Sequence, residues 1–132
     1  MDVVEALVVL SYRIQKALAE VGAAHDLSLI QIRLLGILRD RQPGMLELGA
    51  YLGLDKSSMT GLVQRAEKRG LVRRDPSPHD GRAVLVSLTD AGRALAAEGE
   101  AEIAASVRAI AARLGPDDQK ELVRLVSALI EP

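Results

Sequence analysis

The sequence predicts a mainly α fold with a small β-wing. Three observations predict it. Apolar residues recur at the helical 3.6-residue period over most of the chain. The period switches to 2 only between Leu71 and Thr89. Glycine and proline punctuation is concentrated at Gln42-Pro43-Gly44, at Asp75 to Gly81 and at Gly115-Pro116, which divides the chain into short segments. At 132 residues, 48% hydrophobic and net charge −1, this is one ordinary domain or one domain with an appended arm, and the composition excludes disorder.

The first segment reads as one long helix over residues 3–24, with Val4, Leu7, Val8, Ser11, Ile14, Leu18 and Val21 on its stripe. The second begins after Ser28, an N-cap type, and stops before Pro43. Its apolar residues Ile32, Leu34, Leu35, Ile37 and Leu38 cover more than one face, as expected of a central helix touched from several sides. The third, Leu46 to Leu52, is ended by Gly53. The fourth follows Asp55, another cap type, and runs to Arg69, where Gly70 supplies a left-handed stop. Two short helices separated by Gly53-Leu54-Asp55 match a helix-turn-helix.

Leu71-Val72-Arg73 then reads as a brief strand, and Ala83 to Thr89 alternates with Val84, Val86 and Leu88 on one face. Two strands joined by the polar loop Arg74 to Arg82, directly after a helix-turn-helix, make a wing. Thr89 suits the N-cap of a fifth helix from Asp90 to about Leu114. Pro116 suits the first turn of a sixth through Ile130, striped by Leu122, Leu125, Val126, Leu129 and Ile130.

Residues 28–89 form a winged helix-turn-helix region by themselves, with the recognition helix at 55–69 and the wing at 71–89. The helix in residues 1–27 and the two in residues 90–132 carry long apolar stripes that this centre leaves uncovered. They are expected to form a dimerisation region with a second copy of the chain, since symmetric dimers are the commonest oligomers. The alternative is that the three helices cover one another within one chain.

The near-zero net charge is a cancellation. Residues 56–82 hold seven basic residues (Lys56, Arg65, Lys68, Arg69, Arg73, Arg74 and Arg82) against Glu67, Asp75 and Asp80, a local balance of +4 against −5 for the remainder. A basic stripe on a helix-turn-helix and its wing is a footprint for nucleic-acid phosphate. On the fourth helix Met59, Leu62, Val63 and Ala66 supply one apolar side, and Ser57, Thr60, Gly61, Gln64 and Lys68 the other. Hydroxyl and amide groups suit base edges in a major groove, and Gly61 leaves room for close approach. On the wing, Arg82 suits the negative potential of a minor groove. Asp80 is a poor phosphate neighbour unless it pairs with Arg65, Arg74 or Arg82.

The stretches Leu54 to Val63, Arg69 to Arg74, Asp80-Gly81-Arg82 and Ser87 to Gly92 resemble the MarR family of bacterial transcriptional regulators. The most specific signature is Asp80-x-Arg82-x5-Leu88-Thr89-x-x-Gly92. The resemblance spans essentially the whole chain. It implies a winged-helix homodimer whose first, fifth and sixth helices intertwine, with the fourth helix in the major groove and Arg82 in the minor groove. The implied target is a pseudo-palindromic double-stranded operator, and the implied role is repression of nearby genes, relieved by a small aromatic or hydrophobic effector.

Together these readings nominate Lys56, Ser57, Ser58, Thr60, Gly61, Gln64, Arg65 and Lys68 on the helix, and Arg73, Arg74, His79, Asp80 and Arg82 on the wing, as DNA contacts. An effector pocket under the family reading would draw on Tyr12, Arg13, His25 and Arg33. The chain has no cysteine, which removes thiol sensing, thiolate zinc sites and disulfides. Its histidines, His25 and His79, are far apart in sequence, so no metal site and no cofactor are expected. No nucleophile elbow, phosphate loop or Ser-His-carboxylate pattern is present, so no enzyme is expected. Met1 to Leu10 has no basic leader and is broken by Glu5, and no apolar run of about 20 residues occurs, so a cytoplasmic protein without a membrane span is expected. The alternative from another class is a winged-helix module that binds protein instead of DNA.

Overall fold

The computed structural model describes all 132 residues. The chain folds into six helices and one hairpin: α1 (Val3–Ala24), α2 (Leu29–Asp40), α3 (Met45–Leu52), α4 (Lys56–Lys68), β1 (Val72–Pro76), β2 (Val84–Leu88), α5 (Asp90–Ala111) and α6 (Pro116–Ile130). Local chemistry sets most boundaries. Ser28 and Gln31 close a capping box on α2. The Asp55 side chain caps α4, and the Thr89 side chain caps α5. Gly53 (φ 66°) and Gly70 (φ 73°) supply the left-handed residues that end α3 and follow α4.

The core lies between α2, α3, α4, the hairpin and the start of α5. Leu34, Leu48, Met59, Leu62, Val63 and Val86 are fully enclosed in it. As its multi-faced pattern predicts, α2 is central: it packs on α1, α3, α5 and β2.

The strands are antiparallel, pairing Val72 with Leu88 through Pro76 with Val84. β1 is longer than its sequence suggests, continuing through Arg74, Asp75 and Pro76. These residues have little strand propensity of their own. The ladder with β2 holds them, and Pro76 sits at the strand's end, where a missing N–H is tolerated. Gly44 forms a further isolated bridge with Leu85, so α3 enters directly from the sheet edge.

The joint between the wing and α5 is tightly built. The Thr89 hydroxyl donates to the Gly70 carbonyl at 2.6 Å, and its oxygen accepts from the Gly92 N–H at 3.0 Å. Gly92 lies directly on the Leu71 carbonyl; a Cβ there would stand 1.9 Å from that oxygen. The Leu88-Thr89-x-x-Gly92 signature is therefore a packing lock between α4's exit, the wing and α5.

At the opposite edge, the turn from α1 to α2 contains Asp26 at φ 55°, the one non-glycine residue in the left-handed region. Arg69, at the end of α4, donates to the backbone carbonyls of Asp26 (2.8 Å) and His25 (3.2 Å).

The terminal helices leave much apolar surface open. Val3, Val4, Leu7, Val8 and Val9 of α1 are exposed, and α6 buries none of its residues. No single helix is long and apolar enough to cross a membrane.

Candidate nucleic-acid interface

α4 presents one face inward and one outward. Met59, Leu62, Val63 and Ala66 are all buried, as their spacing predicts. Lys56, Ser57, Ser58, Gln64, Arg65 and Lys68 are exposed, and Thr60 and Gly61 are half-exposed. The outward groups differ in what they have free to offer. The Ser57 hydroxyl bonds to Asp55 Oδ1 at 2.9 Å, and the Ser58 N–H donates to the same oxygen at 2.8 Å. That Ser58 N–H, followed by the Ser57 hydroxyl, holds the Asp55 carboxyl below the usual carboxylate range. The cap is thus anionic at neutral pH, where it suits the positive end of the helix.

Thr60 donates its hydroxyl to the Lys56 carbonyl at 2.9 Å. Both hydroxyl oxygens keep acceptor capacity, which matches amino groups on base edges. Gly61 has a local use as well: a Cβ there would come within 3.0 Å of the Arg65 guanidinium, so the missing side chain lets Arg65 lie back along the helix.

The basic stripe is partly neutralised. Arg74 pairs with Glu67 at 2.9 Å and Arg73 with Asp75 at 3.2 Å. Arg69 is taken up by the α1–α2 turn. Lys56, Arg65, Lys68 and Arg82 have no carboxylate partner, and they carry the available positive charge.

The wing tip is ordered by short-range bonds. The Ser77 hydroxyl oxygen accepts from the N–H groups of His79 (3.2 Å) and Asp80 (3.3 Å). Asp80 Oδ1 accepts from the Arg82 backbone N–H at 3.0 Å. The expectation that Asp80 forms an ion pair with Arg65, Arg74 or Arg82 is therefore corrected: its carboxylate folds onto its own turn, and Glu67 takes Arg74 instead. The effect on Arg82 is still one of placement, because the bond fixes its backbone while its side chain stays exposed and free of acids.

The residues nominated for an effector are dispersed. Tyr12 and Arg13 lie on the exposed part of α1, and Arg33 is exposed on α2. His25 caps the end of α1 and is half-buried, with Nε2 3.0 Å from Glu102 Oε2. A cleft of about 750 Å³ lies elsewhere, between α3, α4 and β1, with Met45, Leu46, Leu54 and Met59 on its walls and Lys56 and Arg74 beside them. Sequence reasoning missed this cleft, the Glu67–Arg74 pair and the close contact of Gly92 with the Leu71 carbonyl. Only the last had a signal in sequence, the signature itself.

The chain is similar to known transcriptional regulators. Residues 25–83 match the model of the MarR family. The organic hydroperoxide resistance transcriptional regulator of Bacillus subtilis is 34% identical over 85 residues, covering 64% of this chain and 56% of the relative, so the match spans little more than half of that protein. The transcriptional regulator MgrA of Staphylococcus aureus is 32% identical over 107 residues, covering 80% of this chain and 71% of MgrA. Among solved structures, the transcriptional repressor CouR bound to a 23-mer DNA duplex superposes with a TM-score of 0.82 at 25% identity, covering 97% of this chain and 92% of CouR.

Proposed function

This chain belongs to the MarR family, and on that premise we propose that it is a sequence-specific double-stranded DNA-binding transcriptional regulator. It acts as a cytoplasmic homodimer that represses nearby genes and is released by a small-molecule effector. The observation that carries the DNA-binding reading is the outward face of α4. There Gln64 has no partner inside the protein, Lys56, Arg65 and Lys68 are unpaired, and a wing tip exposing Arg82 follows through β1, which packs on α4. The named DNA complex of CouR, a protein of the same fold, supports it.

In this reading Lys56, Arg65 and Lys68 contact phosphates, and Gln64, Thr60 and Ser57 face base edges. Arg82 enters the adjoining minor groove. Residues 28–89 are the DNA-binding region, and residues 1–27 and 90–132 supply the dimer. The exposed apolar face of α1 and an α6 with no buried residue support that division. A two-fold dimer sets its two α4 helices on half-sites about 10 bp apart, which makes the operator pseudo-palindromic. The cleft beside α4, apolar with Lys56 at hand, suits a small hydrophobic anion that would compete with phosphate for that cation.

Selection of bound duplexes from a random library tests the reading directly: a palindromic consensus is expected, and recovery of unrelated sequences would remove it. On the selected site, Arg82→Ala should weaken binding and lower the slope of log affinity against log salt by about 1. An unchanged slope would exclude Arg82 from contact with the duplex. Gln64→Ala removes no charge, so it should relax sequence preference and leave the salt slope unaltered. An equal loss on every sequence would show that Gln64 reads no base.

A further inference from the structure

One side-chain cluster lies outside the DNA-facing surface. His25, Glu98 and Glu102 bring one nitrogen and two carboxylate oxygens within 4.8 Å of one another. The histidine is 73 residues from the nearer glutamate in sequence, and only the packing of α1 on α5 joins them. We propose that these three residues form a site for one first-row divalent cation of the zinc class.

The donor set favours that class. An imidazole with two carboxylates and no thiolate suits zinc and its first-row neighbours, whereas calcium and magnesium favour all-oxygen sites. Zinc bonds of about 2.0–2.2 Å to nitrogen and oxygen put tetrahedral ligand atoms about 3.4 Å apart. Closing the cluster from 4.8 Å thus takes up to about 1.4 Å of movement. Glu98 can supply it, because its side chain is exposed and joins none of the ion pairs.

Two features make the cluster more than a chance meeting of acids. Glu98 and Glu102 are four residues apart on one face of α5, an arrangement of like charges that is unfavourable by a few tenths of a kcal/mol unless something positive stands between them. Glu100, one step round the helix, has Arg39 at 2.7 Å, but no lysine or arginine pairs with Glu98 or Glu102. The histidine is also held in place. Its side chain is only 15% exposed, its N–H bonds back into α1, and its carbonyl receives Arg69. A ligand fixed this way loses little freedom when the ion arrives. Three protein ligands leave a coordination position for water, the pattern of an exchangeable site and not of a closed structural one.

The test uses the full chain after chelator treatment, titrated with zinc chloride against a weak chromophoric chelator. One zinc per chain is expected, with affinity reduced at least about tenfold in both Glu98→Gln and His25→Gln. Zinc should also raise the melting temperature of the wild-type chain and leave that of Glu98→Gln in place. Glu98 is exposed, so its variant keeps the fold, which circular dichroism verifies. No zinc uptake in competition with the chelator, or uptake equal in the wild-type chain and Glu98→Gln, would overturn the site.

Discussion

Replacing Gly92 by alanine is expected to cost about 3 kcal/mol or more of stability, a very large effect for one methyl group. The Cβ would stand 1.9 Å from the Leu71 carbonyl oxygen and 2.8 Å from its carbon, both backbone atoms that cannot rotate away. Relief requires the start of α5 to lift from Leu71, which pulls on the Thr89 bond to Gly70 at the same joint. Urea denaturation should show a lower midpoint with an unchanged slope. Gly36→Ala on α2 is the control. Nothing lies within 4 Å of its Cβ position, and as an interior helical residue it should gain up to about 1 kcal/mol. Equal behaviour of the two variants would show that α5 does not rest on Leu71.

The second large effect concerns association. Leu129→Lys places a charge on the apolar stripe of α6 at a position 68% exposed in the single chain, so the protomer's own fold has nothing to lose. In a two-fold dimer the substitution appears twice. At about 2 kcal/mol for each polar group buried without a partner, dimer affinity should fall roughly a thousandfold. Sedimentation at micromolar concentration should show a dimer for the wild-type chain and a 14.1 kDa monomer for the variant. Binding to a two-half-site duplex should fall with it. A dimer that survives the lysine would place the interface away from α6.

The sequence was most informative where structure is local. The caps Ser28, Asp55 and Thr89 and the stops Gly53 and Gly70 need only their neighbours, and each marks a real helix boundary. The buried side of α4 was legible because Met59, Leu62, Val63 and Ala66 follow the helical period. β1 beyond Arg73 was not legible, because a cross-strand ladder and not its own residues holds Arg74 to Pro76 extended. The partners of the arginines were hidden for a similar reason. Which of several acids meets Arg74, and that Arg69 meets carbonyls instead, depends on how α4 lies against β1 and the α1–α2 turn. His25 and the pair Glu98 and Glu102 lie 73 residues apart, so their meeting left no pattern to read along the chain.

Arg69 has a mechanical consequence. It is the C-cap residue of α4, yet its guanidinium donates to two carbonyls of a turn that holds the chain's only left-handed non-glycine residue. Such a residue stores on the order of 1 kcal/mol of strain and persists only while its surroundings hold it. The arginine therefore acts as a latch on a sprung hinge. If α1 swings against α2, the latch either drags the end of α4 with it or lets go and releases the spring. The turn between α1 and α2 and the end of α4 are thus joined through one side chain.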